Sequence, residues 1–436
     1  MSDDVRKELL PGYAKIEEAI LTNFQGETVD ITELISDVTV RESLYSMFCV
    51  FEIIIVDGVA LLEKFAITGN EKIKIRISKR NSSSGEDIDT TKYLVLTGIQ
   101  EYARIINQSQ VYKIQAVSET AMNCSIARTS KTVEGPISKI INDLYSNEVQ
   151  FNLPLTSDGE QTQGNYKIIL PNYTYTDIFS MLLNKAQNSS GSVFFMFETL
   201  WGDMTLTSYK EMIGQDTLDK YRLTDFESSN KRKSEYDKLR TKIRNLSSNL
   251  GVSHFDGFKK GGLASRVFVN DMATKTFTQT DYDLLSSGNS KLSKDFLLAE
   301  EYTVANKPLQ DFKQPKTFMV NQNSLAFQGQ ENLQNRVGDS IAKKRFQYEN
   351  QFAVSHNITV TGDTRLRAGT MIEVELPTAT DPTFAPVNRD EYLSGKYFIS
   401  SVTHSFGAAG SYNETLTIRK DSIDRQTMLT KNKDLK

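Results

Sequence analysis

Apolar and polar residues alternate along much of this chain with the two-residue period of a β-strand. The cleanest instance is Lys72-Ile73-Lys74-Ile75-Arg76-Ile77, with one apolar face and one charged face. Upstream, Val29, Ile31 and Leu34, then Val38 and Val40 with a turn near Glu42-Ser43, open a β-rich stretch that Met47–Val56 continues. Asp57-Gly58 marks a turn, and Leu61, Leu62, Phe65 and Ile67 lead into Gly69. Asn81–Thr91 reads as a polar loop. Tyr93–Ile106 and Gln110–Val117 then read as a hairpin turning at Asn107-Gln108. Closely spaced antiparallel strands of this kind predict a barrel or sandwich. Residues 1–22 read differently, as a polar and partly helical arm.

Beyond this stretch the period changes to 3.6. Gly135-Pro136 opens a helix whose apolar face is Ile137, Ile140, Ile141 and Leu144. Thr174-Tyr175-Thr176-Asp177 has the capping spacing for a second helix carrying Ile178, Phe179, Leu182 and Leu183. A hairpin over Phe194–Phe197 and Met204–Leu206 follows. Residues 231–244 are strongly basic and run into a strand predicted around Leu239–Leu246. Arg266–Val269 and Thr276–Thr278 are β-prone, and Leu333, Val337 and Ile341 predict a helix over 328–346, weakened by Gly338.

The β pattern occurs twice, and this repetition organises the chain. Ile73, Ile75 and Ile77 match Ile372, Val374 and Leu376, which lie 299 positions later. After a loop, Lys92-Tyr93-Leu94-Val95 matches Lys396-Tyr397-Phe398-Ile399. From there Tyr102, Tyr112 and Ile114 match Phe406, Leu416 and Ile418 at a constant offset of 304. Residues 352–418 hold too few strands for a closed barrel, so the missing ones are expected from 236–256. The predicted class is α+β, mainly β: two similar antiparallel β-barrels with α+β insertions, the second barrel discontinuous. The predicted units are an arm over 1–22, a first barrel over 23–120 and an α+β insertion over 121–235. The second barrel is 236–256 plus 345–421, with 257–344 inserted and a polar tail over 422–436.

Composition adds little that is specific. The chain has 436 residues, 39% apolar and 24% charged, enough for several ordinary cores. A formal net charge of −4 offers no bulk attraction to nucleic acid or to a membrane surface. Cys49 and Cys124 have no metal spacing, and Cys49 reads as a buried free thiol. The N-terminus lacks the apolar run of a signal peptide, and no segment is long enough to span a bilayer. A reducing cytoplasm is the expected place of assembly.

Candidate chemistry is sparse. The three histidines, His254, His356 and His404, have no i, i+4 pairing, and the last two fall in predicted strands, where a lone histidine is structural more often than catalytic. Phosphate-loop, nucleophile-elbow and zinc-protease patterns are absent. Carboxylates such as Glu300, Glu301 and Asp381 are plentiful, but nothing singles out a catalytic pair. No catalytic, cofactor-binding or metal residue is predicted, and the chain reads as a non-enzyme. The basic run at 231–244 fits either an acidic partner or a solvated strand edge; few aromatics interleave with it, which favours the edge.

The second copy carries a specific likeness. Thr361-Gly362-Asp363, Gly369 and Ile372-x-Val374-x-Leu376-Pro377 begin it. Gly395-x-Tyr397-x-Ile399-x-x-Val402-x-His404-x-Phe406 and Tyr412-x-x-Thr415-Leu416-x-Ile418-x-Lys420-Asp421 complete it. This series resembles the C-terminal barrel of baseplate hub proteins of contractile-tailed phages and related injection machines. Asp57-Gly58, Leu61-Leu62, Gly69-x-Glu71 and the Tyr93–Val117 hairpin resemble the first barrel of that family.

The resemblance implies a homotrimer whose six barrels form a pseudo-sixfold ring. Such a ring joins a hexameric tail tube to a trimeric spike and leaves a channel through which DNA passes without specific binding. It implies tape-measure and inner baseplate proteins as further partners, a place in the virion tail baseplate, no cofactor and no membrane insertion. The chain ends soon after Ile418, so the spike is expected as a separate polypeptide. The channel wall is expected to be acidic or neutral, and the loops Asn81–Thr91 and Thr378–Ser394 are where the two barrels should diverge. The other readings of the sequence are the hub of a bacterial contractile injection particle, a peptidoglycan-degrading baseplate enzyme and a carbohydrate-binding β-protein.

Overall fold

The structure, a computed structural model, describes residues 11–65, 67–80, 87–105, 109–150, 152–157, 161–188, 191–223, 235–249, 259–260, 264–283, 303–308, 317–322, 341–342, 344–345, 347–348, 354–378, 389–390, 393–407 and 409–420. It is mainly β. The first unit contains β1 (Lys15–Thr22), β2 (Thr28–Asp30), β3 (Ile35–Ser43), β4 (Val50–Asp57), β5 (Lys72–Arg80), β6 (Asp87–Ile105) and β7 (Ser109–Ser118). The α+β insertion contains α1 (Glu119–Ile126), α2 (Ile137–Leu144), α3 (Tyr175–Lys185), the hairpin β8 (Phe194–Glu198) and β9 (Met204–Ser208), and α4 (Tyr209–Gly214). There follow β10 (Lys220–Arg222), α5 (Glu235–Arg240), β11 (Asn245–Asn249) and a small sheet of β12 (Ala264–Asp271), β13 (Thr276–Asp283) and β14 (Thr317–Gln322). The chain closes on β15 (Val354–Thr361), β16 (Met371–Glu375), β17 (Gly395–Gly407) and β18 (Tyr412–Lys420).

In the first unit the pairing runs β3-β4-β7-β6-β5-β1-β2. β2 leads through a single 3-10 turn into β3, so one continuous segment pairs with both ends of the path. The second unit follows the same order of pairing, except that its last pair is parallel where β5 with β1 is antiparallel. β11 pairs with β15, β15 with β18, β18 with β17, β17 with β16, and β16 with β10. The Arg222 amide donates to Thr241 O and the Ile243 amide to Arg222 O, which connects β10 back to the segment leading into β11. The second unit is therefore discontinuous in sequence, and β10 and β11 reach it from far upstream. Each unit has its own apolar core, one around Phe51, Ile53, Ile75 and Ile114, the other around Ile358, Val374, Tyr397 and Leu416. The insertion has a third core, around Ile141, Phe179 and Leu206.

The two helices predicted by periodicity form as α2, with Pro136 at its N-cap position, and α3, with the Thr174 side chain accepting from the Asp177 amide. Three local expectations fail, each for a reason visible in the local structure. Residues 15–22 are a strand rather than a helix. A bulge between Ile16 and Glu18 shifts the alternation of β1, so Ile16 and Ala19 take the three-residue spacing of a helix. The polar stretch Asp87–Thr91 is the start of β6, because β5 continues opposite it to Arg80. The strand predicted around Leu239–Leu246 is replaced by α5 up to Arg240, with β11 starting at Asn245. The helix predicted over 328–346 lies outside the described residues up to Ser340; within its range Ile341, Ala342, Lys344 and Arg345 are helical, as are Gln347 and Tyr348 just beyond it.

The repeat is also not gapless. Ile73 pairs with Leu94 and Ile372 with Tyr397, so the counterpart of Leu94 is Tyr397. Tyr93 is 39% exposed while Tyr397 is fully buried, which confirms that they occupy opposite faces. A bulge at Leu96/Gly98 recurs at Ile399/Ser401, but β6 has a second bulge at Gln100/Ala103 that β17 lacks. Each unmatched residue shifts the alignment, so Ile114 corresponds to Leu416 and Tyr102 to His404.

Candidate functional site

The most concentrated polar chemistry among the described residues lies where the two sheets and the insertion meet. β3 of the first unit pairs antiparallel with β17 of the second over seven residue pairs, from Ser43↔Ser401 to Asp37↔Gly407. Val38, Val40 and Glu42 share one face of β3 by simple alternation, so Glu42 is carried into the interior on an apolar phase. Its carboxylate accepts the Leu200 amide at 2.8 Å and the Ala368 amide at 2.7 Å. A single side chain from the first unit thus holds a turn of the insertion and a loop of the second unit.

His404 of β17 lies between two carboxylates. Its Nδ1 is 3.0 Å from Glu414 Oε1 and 3.0 Å from the Tyr412 hydroxyl. Its Nε2 is 3.4 Å from Glu42 Oε2, an ionic contact without hydrogen-bond geometry. Burial alone would lower the pKa of His404; Glu414 and Glu42 outweigh it and raise the value to about 9. Burial raises Glu414. The Tyr412 hydroxyl donates to Glu414 and accepts from Trp201 Nε1 at 2.9 Å, while its ring stacks on Phe406 at 4.4 Å between centroids.

The cluster continues on both sides. The Asp363 amide donates to Glu414 Oε2 at 3.1 Å, and the Asp363 carboxylate meets Arg240 at 2.9 Å and Arg365 at 2.7 Å. Burial acts upward on Asp363, but Arg365 and its neighbours hold it well below the usual carboxylate range. Asp219 bridges the same two arginines at 2.6 and 3.0 Å. From β5, Lys79 donates to Gly362 O, and burial lowers its pKa. Toward the insertion, Glu198 of β8 accepts the Cys49 amide at 3.1 Å and the Ser118 hydroxyl at 3.2 Å. Lys92 of β6 lies 3.5 Å away. Burial raises Glu198.

Tyrosine, histidine and glutamate in contact have the makings of a proton relay. A general base, however, must come within about 3 Å of a substrate proton. Here His404, Tyr412 and Glu414 expose no surface and Glu42 only 1%. The chemistry of the seam is directed at the chain itself: paired buried charges and backbone amides fix the mutual orientation of three units.

The sequence candidates distribute accordingly. His356 is buried between Ser248 and the Tyr397 hydroxyl, and burial lowers it to about 4, so it is neutral at physiological pH. Cys49 and Cys124 are buried free thiols, both with pKa values raised by burial. Of the basic run, 231–234 lie outside the described residues. Arg240 is spent on Asp219 and Asp363, and Arg244 on Asn413 and Thr361. His254, Glu300, Glu301 and Asp381 also lie outside the described residues, as does most of Thr378–Ser394. Among the described residues no group of His, Cys, Asp or Glu is placed to hold a metal ion, and no helix is long and apolar enough to cross a membrane. Sequence reasoning passed over Glu42 as part of a turn; its signal was a carboxylate two places after Val40 on an apolar face.

No protein-family model and no curated protein matches the chain. Solved structures do. A tail protein from Neisseria meningitidis MC58 superposes with a TM-score of 0.53 at 11% identity, covering 94% of this chain and 98% of that one. The 43 kDa tail protein of prophage MuSo2 from Shewanella oneidensis superposes with a TM-score of 0.52 at 11% identity, covering 93% and 98%. The chain has the fold of these tail proteins, the fold that the resemblance to baseplate hubs implied.

Proposed function

We propose that the chain is the structural baseplate hub of a contractile phage tail. Three copies would set six similar sheet units in a ring, meeting a hexameric tail tube on one side and a separate trimeric spike on the other, with a channel for DNA. The observation that carries this reading is the pairing of two units of one strand plan through β3 and β17, backed by a buried ionic seam. A rigid pair of like units turns a threefold assembly into an approximately sixfold surface, which removes the mismatch between partners of different rotational order. The reading is non-enzymatic, and the burial of the seam, whose His404, Tyr412 and Glu414 expose no surface, supports it.

The corresponding organisation is a first barrel over about 15–118 and an insertion to about 217. The second barrel is built from about 220–249 and 354–420, with the small β12–β14 sheet inserted in it. The tail tube protein, the spike, a tape-measure protein and inner baseplate proteins are the proposed partners, and the tail baseplate of a virion assembled in the host cytoplasm is the proposed location.

Light scattering on the purified chain, alone and mixed with a candidate trimeric spike protein, tests the reading. A particle of three times the 49.2 kDa chain mass is expected. A monomer that binds neither spike nor tube protein overturns it.

A further inference from the structure

The seam between β3 and β17 has a counterpart that is only half built within one chain. β17 pairs with β16 through its first residues, with β18 along its length and with β3 over Ser401–Gly407. β6, the equivalent strand of the first unit, pairs with β5 up to Val95 and with β7 to Ile105. Among the described residues nothing pairs with its outer edge beyond Leu96. The contrast in burial is sharp. His404 is fully buried and Phe406 is 2% exposed, whereas every residue from Gln100 to Ile105 is exposed, including Tyr102 at 52% and Ile105 at 50%. A bare, partly apolar strand edge is a standing template for another strand.

The second unit carries the complementary edge. The counterpart of β3 there is β11, since β3 pairs with β4 as β11 pairs with β15. β3 uses its other edge to bind β17; among the described residues the same edge of β11 is unpaired. Each chain thus ends in one open edge of each kind.

We infer that β6 of one copy pairs antiparallel with β11 of a second copy, repeating between chains the seam that β17 and β3 form within one. The inference rests on the trimeric reading above and deepens it by naming the surfaces in contact. The register follows from residue equivalence. Ser405 opposes Thr39 within the chain, and their counterparts are Ala103 and Ser247. Likewise Tyr102 opposes Ser248 and Ile105 opposes Asn245 of the second copy. The contact is head-to-tail, and such a contact closes into a ring only when its rotation divides a full turn. Three copies alternating internal and external seams of like geometry give six.

Ala103→Cys combined with Ser247→Cys tests the pairing, because opposed residues of antiparallel strands lie within disulfide reach. The native cysteines are buried and do not compete. Mild oxidation of the double variant should give covalent dimers and trimers, and neither single variant should. A trimer by light scattering whose double variant does not cross-link overturns the seam and leaves the trimeric reading standing. A monomer without cross-links overturns both. Covalent species longer than three chains keep the seam and overturn the closed ring. Tyr102→Lys with Ile105→Lys provides the second arm. It should weaken self-association by at least about tenfold while leaving the circular dichroism of the chain unchanged; unaltered association overturns the proposal.

Discussion

Glu42 offers the sharpest test of what holds the two units together. Replacing it with glutamine keeps the size and removes one of two acceptor oxygens. The carboxylate receives the Leu200 amide on one oxygen and the Ala368 amide on the other. In Glu42→Gln one of these amides must face an NH2 group. A buried donor left without an acceptor costs about 1–3 kcal/mol. His404 also loses one of its two anionic neighbours, so the total should be about 2–4 kcal/mol, and about 3–5 kcal/mol for Glu42→Ala. A chain of several cores need not unfold in one step, so a single melting temperature is a poor readout. Amide hydrogen exchange at Leu200 and Ala368 reads the loss locally. A local cost of about 2 kcal/mol corresponds to roughly 30-fold faster exchange, at 1.4 kcal/mol per factor of ten. If both amides exchange as in the native chain, and the urea midpoint is unchanged, Glu42 is not the clamp described above.

Other perturbations probe the same seam. His404 has a folded pKa of about 9 against roughly 6.5 unfolded, so its contribution is fully present below about pH 6.5 and is lost as pH rises through 9. Urea midpoints should fall across that window by the equivalent of about 3 kcal/mol, and His404→Gln should flatten the profile; an equally steep profile in the variant would assign the titration elsewhere. Glu414, raised by burial, acts with the same sign as pH rises above the usual carboxylate range. Lys92→Ala leaves the Glu198 carboxylate buried beside no cation and should cost about 3–5 kcal/mol, with Lys92→Met plus Glu198→Gln recovering most of it. Limited proteolysis of the insertion checks the order of the three proteins. A Cβ on Gly362 would stand 2.2–2.5 Å from the Tyr412 ring, so Gly362→Ala should yield little soluble chain. Gly58→Ala, with nothing within 4 Å, should change stability by less than about 0.5 kcal/mol.

Much of the architecture is written in local pattern. Lys72–Ile77 alternates so regularly that β5 could be nothing else, and Pro136 and Thr174 mark two helix starts because their chemistry acts within a few residues. The repetition of the β5–β6–β7 pattern in β16–β17–β18 was visible for the same reason. Register was not. An alignment by residue type set Tyr93 against Tyr397, one position off, and then passed over the extra residue in the bulge at Gln100/Ala103, so it matched Tyr102 with Phe406 instead of His404.

Local periodicity decides whether a segment is strand or helix, because that depends on the side chains of a few neighbours. The sequence alone therefore determined a β-rich, duplicated chain with helical inserts. It could not determine which edges are covered. That Lys220–Arg222 joins the second unit, that β3 seals β17, and that β6 stands bare depend on backbone groups, which every residue carries alike. Only the tertiary structure brings Glu42 within 3.4 Å of His404, and so into one cluster with Glu414, because Glu42 lies more than 350 positions before both and their value to one another exists only once water has been excluded.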